Sequence, residues 1–505
     1  MKPRLTLFLL AAIFLSLHWV APLAGAAERQ LPNIVIIYSD DQGYGDFSIQ
    51  NPDSKIPTPH LDRLASEGMR FTDGHSSSGI CTPSRYALLT GRYHWRQGHG
   101  IVGIYGRPWW DEGRLTLPEM LREKGYRTAV IGKWHLGWDW DAIRNPETPR
   151  LAPNGFDWSK PVPGGPLDHG FDYYFGDDVP NFPPYTWIEN DRILIEPTVP
   201  FTPIPEPTPD DEAGERMSGH DSRDGAMVDG WRLDAVMPRL TERTVEWIGE
   251  QKDNDQPFFL YWSWTSPHTP VVPIKEFQGS TDAGPYGDFM HQSDAHLGQV
   301  LAALDQNGFS DNTLVIFSSD NGPETIAYPR IQNHGHYSMG SLRGVKRDIW
   351  EGGHRVPFIA RWPGMIEPGE VRDDLISQID IMATLAALVG YDLPETVAED
   401  SYNMLSAWTE DAPSPRRTLV HNTRRGAYAL RHGDWLLIAA ESGGHSGVPE
   451  WFDEKRGYTE DEHPGELYDL SMDLEQKHNL YGENPEKVEE LTAILEQIQA
   501  EGQVR

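Results

Sequence analysis

"PNIVIIYSDD", Pro32–Asp41, runs through five apolar residues, Ile34 to Tyr38, and stops on two aspartates. A β-branched run of this length, with no polar alternation, reads as a strand buried on both faces. Three more stretches follow the same plan. "YRTAVIGKWHLG", Tyr126–Gly137, ends on Lys133 and His135. "QPFFLYWSWTSPH", Gln256–His268, ends on His268, and "NTLVIFSSDNG", Asn312–Gly322, ends on Asp320 and Asn321. Amphipathic segments lie between them, including "TPHLDRLASEGMRF", "TLPEMLREKG" and "LTERTVEWIGEQ". Strands alternating with helices predict an α/β fold with a large, mainly parallel central sheet flanked by helices. Ligands of such sheets bind beyond the carboxyl ends of the strands, where all four polar groups sit.

Outside this core the pattern changes. The segment from about Pro180 to Asp211 carries "TVPFTPIPEPTPDD", without helical periodicity, and reads as a surface loop beside the site or as a linker. After the helical "ISQIDIMATLAALVG", the stretch "TLVHNTRRGAYALRHGDWLLIAA" alternates as strands do, with "HGDW" as its turn. "GELYDLSMDLEQKHNL" adds a strand, and "NPEKVEELTAILEQIQAEG" a helix capped by Asn484. These define a smaller C-terminal α+β subdomain, residues 415–505, behind a main domain of residues 28–414. No internal repeat is evident.

Residues 1–27 read as a secretory signal: Lys2 and Arg4, the apolar "LTLFLLAAIFLSL", then small residues near Ala26 and Ala27. That run is short of the roughly 20 residues of a spanning helix. The expected location is exported, periplasmic or secreted, with no membrane span. The formal net charge of −33 argues against nucleic acid as a partner. It fits a salty or calcium-containing medium, or simply a solvated acidic surface. An anionic substrate would need local positive charge against this field.

The 505 residues contain one cysteine, Cys81, so the chain can form no internal disulfide. A lone thiol in an exported protein is either a small core residue or a functional one. Asp40, Asp41, Asp320 and Asn321 offer only oxygen donors, which suit a hard cation such as Ca²⁺ or Mg²⁺. Lys133, His135, His268 and Lys346 are the cationic or proton-donating groups that could face an anion.

"CTPSRYALLTGR", Cys81–Arg92, resembles the signature of the type I sulfatases, in the alkaline phosphatase-like superfamily. "NIVIIYSDDQGYGD", "GKWHLG", "SSDNG" and "LRGVKRDIWEGGHRVPFIARWPG" match further family motifs in the family's order. The resemblance runs from Asn33 to the C-terminal "ELYDLSMDLEQKHNL". It implies that Cys81 is oxidised to formylglycine (3-oxoalanine) by a formylglycine-generating or anaerobic sulfatase-maturating enzyme that reads Pro83 and Arg85. It implies a metal, usually Ca²⁺ with Mg²⁺ as the alternative, held by Asp40, Asp41, Asp320, Asn321 and modified Cys81. Lys346 would hold the sulfate, and Arg85 the modified residue's hydroxyl. Lys133 and His268 would protonate the leaving oxygen, and His135 would take a proton when sulfate is expelled.

Three departures follow Lys346 and the later motifs: Arg347 and Asp348, His354 and Ala383. Arg347, Asp348 and His354 are read as residues bordering the substrate, against the plainer reading of surface pairing. Trp109, Trp110, Tyr185 and Trp187 could stack on sugar rings or fill the core. The expected activity is sulfate monoester hydrolysis on sulfated saccharides, exo-acting on oligosaccharide ends. The alternatives are an aryl or alkyl sulfatase, a phosphonate monoester or phosphodiester hydrolase, and a non-catalytic binding protein that kept the fold.

Overall fold

The computed structural model describes residues 31–202, 222–459 and 462–502. The signal segment, 1–27, lies outside them. The five residues Ile34–Tyr38 sit at the centre of a ten-stranded sheet, each with no exposed surface. Their strand, Asn33–Ser39, lies between Thr313–Ser319 and Phe258–Ser263. Arg127–Gly132 and Tyr173–Gly176 continue the sheet beyond Phe258–Ser263, and these five strands run parallel. Phe358–Arg361 pairs antiparallel with Thr313–Ser319, and Met69–Phe71 and Glu370–Arg372 complete that edge.

The register explains why the polar ends converge. Ser39 is level with Ser319, Tyr38 with Ser263, and Ser263 with Gly132. Asp40, Asp320 and Lys133 therefore leave the sheet side by side. Gly132 is obligatory at this point. Its φ is +116°, and a Cβ there would lie 1.7 Å from the Ser263 carbonyl oxygen.

Helices cover both faces, as a parallel sheet requires. Val236–Glu250, Gly284–Gln306 and Pro59–Ser66 pack on the face carrying Val35 and Ile37. Cys81–Thr90, Leu117–Glu123 and Ile381–Val389 pack against one another elsewhere. Thr116 caps Leu117–Glu123 through a reciprocal box with Glu119.

The region read as a loop or linker contributes structure. Ile188–Glu189 and Arg192–Ile193 form a hairpin that extends the large sheet, and Val199–Phe201 pairs with Gly225–Met227. Near the C-terminus, Thr418–Arg424, Ala427–His432, Trp435–Ile438 and Glu466–Asp469 form the small antiparallel sheet. Helix Pro485–Glu501 packs on it through Leu491 and Leu495, in a core shared with Ala87 and Tyr93 of the main domain. Asn484 precedes that helix, but its side chain donates to the Leu480 carbonyl instead of capping. No described helix is long and apolar enough to cross a membrane.

Candidate active site

Cys81 opens helix Cys81–Thr90, which is buried along its whole length and ends at left-handed Gly91. First-turn N–H groups have no partner within the helix, so an anion at this residue is favoured. Lys346 and Arg85 are close enough for a charge on Cys81 to act on them.

Around the helix start lie three carboxylates and three fixed cations, all nearly or fully buried. Lys133 Nζ is 2.6 Å from Asp40 Oδ2. Lys346 Nζ is 2.6 Å from Asp41 Oδ1. Arg85 donates to Asp320 Oδ2 through Nη2 at 2.8 Å and Nε at 3.1 Å, and to the Ser263 hydroxyl through Nη1. Ser263 in turn donates to the Lys133 carbonyl at 2.7 Å. The cluster is thus charge-balanced before any ligand binds. Burial opposes the charge on Asp41, yet Lys346, His268 and Lys133 hold its carboxyl well below the usual range. Burial also opposes the charge on Lys346, but Asp41, Cys81 and Glu324 together outweigh it, so Lys346 stays cationic. Asp320 is pushed up to about 6, by burial first and by the neighbouring Asp40 charge second.

The donor set fits a hard divalent cation. Asp40 Oδ1, Asp41 Oδ2 and Asn321 Oδ1 are buried oxygens without a hydrogen-bond partner among the described residues. Such groups are costly to leave unmet. Asn321 is oriented by donating its Nδ2 to Asp41 Oδ1 at 2.7 Å, which leaves its oxygen free to ligate. Asp320 is committed to Arg85 and to the Asp41 amide, with only its remaining lone pairs left over. Ligand atoms of Asp40, Asp41 and His268 lie within 4.8 Å of one another. His268 Nε2 is 3.7 Å from Asp41 Oδ2.

His135 follows Lys133 with φ +54° and Asp41 has φ +64°, a left-handed conformation that side chains avoid and functional sites tolerate. Asp178 Oδ1 accepts the His135 amide at 3.2 Å, and the Val102 carbonyl accepts from His135 Nε2 at 2.9 Å. That bond fixes the proton on Nε2 and leaves Nδ1, buried and without a partner among the described residues, able to accept. Burial, then Lys133, keeps His135 neutral.

The chain matches the family model described as Sulfatase over residues 32–391. It belongs to the sulfatase family. It is 34% identical over 504 residues to an N-acetylgalactosamine-6-O-sulfatase of Bacteroides thetaiotaomicron, covering 93% of this chain and 94% of that one. It is 34% identical to human arylsulfatase A, covering 94% of this chain and 88% of that one. A solved structure from glycosaminoglycan metabolism in B. thetaiotaomicron superposes with a TM-score of 0.78 at 32% identity, over 94% of this chain and 100% of that one. Sulfatases are sulfuric ester hydrolases, and this chain is an enzyme of that class.

Not every residue read as part of the sulfatase site lies there. Asp348 is fully buried and accepts from the amides of Val345, His445 and Ser446, so it ties loops together and does not border substrate. His354 is fully buried against His75 and His421. Arg347, with φ +80°, is half-exposed and forms a two-pronged pair with Glu324, 2.6 and 2.7 Å. Trp110 stacks on His169 and belongs to packing, whereas Tyr185, though buried, also lines a cavity with Phe201, Met227 and Trp231. Asp177 is a residue the sequence reading missed. Both its carboxylate oxygens are buried without partners among the described residues, and burial pushes it up to about 7. Its signal was present: "FDYYFGDD", Phe171–Asp178, is a fifth apolar strand ending in aspartates.

Proposed function

We propose that this sulfatase removes a sulfate ester from the terminal sugar of an oligosaccharide, using formylglycine formed from Cys81 and one Ca²⁺ held by Asp40, Asp41, Asp320 and Asn321. The observation that carries this is the position of Cys81, at the first turn of a buried helix, beside Lys346 and a carboxylate cluster with three unmet oxygens. The bound cation supplies positive charge to the sulfate oxygens, and the hydrated aldehyde supplies the nucleophilic hydroxyl.

The chain's own residues do the rest. Arg85, anchored by Asp320 and Ser263, orients residue 81 and keeps the carboxylates apart. Lys346 contacts the sulfate and stabilises charge that builds on its oxygens. Lys133, paired with Asp40, and His268, beside Asp41, deliver a proton to the departing sugar oxygen. His135 accepts a proton through Nδ1 when sulfate leaves, since its other nitrogen is tied to Val102.

The saccharide assignment is supported by the names of the relatives, one of them an N-acetylgalactosamine-6-O-sulfatase. A cavity of about 920 Å³, lined in part by Tyr185, Phe201, Trp231 and, on the segment after His268, Val272 and Pro273, offers aromatic faces, but no catalytic residue lines it. Burial of the cluster supports exo action, because a buried site admits a chain end more readily than a chain middle. The secretory-signal pattern of residues 1–27 supports export. The test is a panel of 6-sulfated N-acetylgalactosamine, sulfated oligosaccharides and their polymer, an aryl sulfate and a phosphonate monoester, using protein whose residue 81 has been analysed by mass spectrometry. Turnover of the aryl sulfate but no saccharide refutes the sugar assignment. Equal rates on polymer interior and chain ends refute exo action.

A further inference from the structure

A second buried polar cluster lies apart from Cys81 and the catalytic carboxylates. His75 ends the short strand Gly74–His75, His354 ends helix Glu351–His354, and His421 lies within strand Thr418–Arg424. None of the three has exposed surface, and one nitrogen of each lies within 4.8 Å of the others. His75 Nδ1 and His354 Nδ1 face each other at 3.1 Å.

The outer nitrogens decide what that contact means. His354 Nε2 is 3.0 Å from the Ile349 carbonyl oxygen, which can only accept, so Nε2 carries a hydrogen. His75 Nε2 is 2.8 Å from Asp73 Oδ1. Arg355 at 3.0 Å and Arg431 at 3.2 Å keep Asp73 a carboxylate, so His75 Nε2 also donates. In their neutral forms both rings then present bare lone pairs to each other. Only a cation between them makes this contact favourable. A proton would serve the pair but would leave His421, whose two nitrogens are both buried with no hydrogen-bond partner among the described residues. One metal ion answers all three rings.

The geometry points to a transition-type metal site, of the Zn²⁺ class, held by His75, His354 and His421 at the seam between the main domain and the C-terminal sheet. The 3.1 Å separation is close to the about 3.3 Å expected between two nitrogens around tetrahedral zinc. The carboxylate behind His75 and the carbonyl behind His354 are the partners that metal-binding histidines use to fix their tautomer. Imidazole donors select Zn²⁺, Cu²⁺ or Ni²⁺, whereas the oxygen-rich catalytic cluster selects Ca²⁺ or Mg²⁺. The two centres therefore sort cations by donor type. Glu351 Oε1 is buried without a hydrogen-bond partner among the described residues, while its Oε2 pairs with Arg355 at 3.0 Å, so it offers the ion a polar oxygen but no spare charge. His421 lies flat on His354, centroids 3.4 Å apart, and must tilt off that stack to ligate. The site would tie the segment before Cys81 to the C-terminal sheet. Ser76 already donates its amide to the His354 carbonyl, and Ser78 its hydroxyl to the Asn422 carbonyl.

The test uses tag-free full-length protein, stripped with a chelator and titrated separately with Zn²⁺ and Co²⁺. The expected result is stoichiometric, saturable Zn²⁺ binding with a rise in melting temperature. Co²⁺ should give the intense visible bands of a tetrahedral, nitrogen-rich site. His421→Phe and His354→Gln should lose those bands and the retained zinc while keeping the calcium content of the parent. Failure of the parent to bind Zn²⁺ stoichiometrically overturns the proposal, whether or not the variants fold. So do Co²⁺ bands that are unchanged in a folded variant. Neither outcome bears on sulfate hydrolysis, which is read from Cys81 and the oxygen cluster.

Discussion

Around Asp40 and Asp41 the buried groups are ions, three carboxylates against Arg85, Lys133 and Lys346. Around His354 they are three imidazoles, with Asp73 and Glu351 already matched by Arg355 and Arg431. Both clusters cost desolvation, but they meet it differently. The first uses charge pairing and keeps three oxygens unmet, so it is poised to accept a cation and then an anion. The second has no spare charge, and what it lacks is a partner for ring nitrogens. A site built to bind and release substrate needs stored, oriented charge. A site at a structural seam needs only to be satisfied once.

The comparison breaks most visibly at Cys81. Cys81→Ala should lower kcat by about 10⁴-fold or more, with a melting temperature near that of the parent, since only one sulfur atom leaves the core. Substantial residual turnover would remove Cys81 from the chemistry. Next is Lys346→Ala, which deprives Asp41 of its counter-charge. It should lower kcat/KM by about 10²–10³-fold and destabilise by about 3–5 kcal/mol, measured by steady-state kinetics and urea unfolding.

Acid should then separate the two kinds of burial. Glu324 resists burial through Arg347 and Lys346 and sits at about 2 in the fold. Its contribution is complete above its unfolded value near 4.5 and is lost as pH falls toward 2. His94, driven down to about 3 by burial, is neutral in the fold. Its contribution is complete above about 6.5 and is lost as pH falls from there toward 3. Over its full window the Glu324 contribution is worth roughly 3 kcal/mol and the His94 contribution roughly 5 kcal/mol. Urea midpoints taken between pH 7 and 4 should flatten from the upper end in His94→Gln, and only below about 4.5 in Glu324→Gln. The smallest effect is His421→Phe in metal-free protein. It should stay within about 1 kcal/mol of the parent, because it removes two unmet nitrogens and keeps the ring stack, with kcat unchanged.

The strand ends were legible because each pairs a buried run with a polar break, a local pattern that survives without knowledge of neighbours. That rule located Asp40, Lys133, His268 and Asp320, and applied once more it would have located Asp177. The long helix Gly284–Gln306 was not legible. Its buried side includes Asp288, Gln292, Ser293, Asp294 and His296, which erase the apolar stripe. Asp294 is there to accept the amides of His60 and Leu61 at the start of another helix. The histidine cluster was invisible for a different reason. His75, His354 and His421 share no local motif, and only the pairing of distant strands brings them together. His354 and Asp348 were accordingly misread as substrate borders, since proximity in sequence to Lys346 was the only guide.

Burial of the helix that begins at Cys81 has a consequence in time. Every residue from Cys81 to Thr90 is inaccessible in the finished fold, Pro83 and Arg85 included. A maturing enzyme that reads those side chains can reach them only on a chain that has not yet closed over them. Strand Thr418–Arg424, near the far end of the chain, supplies part of that closure through Asn422. On the proposed conversion of Cys81 to formylglycine, the interval between the synthesis of Cys81 and the arrival of that strand is its window. Any change that speeds collapse around this helix would yield protein that is well folded, stable and permanently inert.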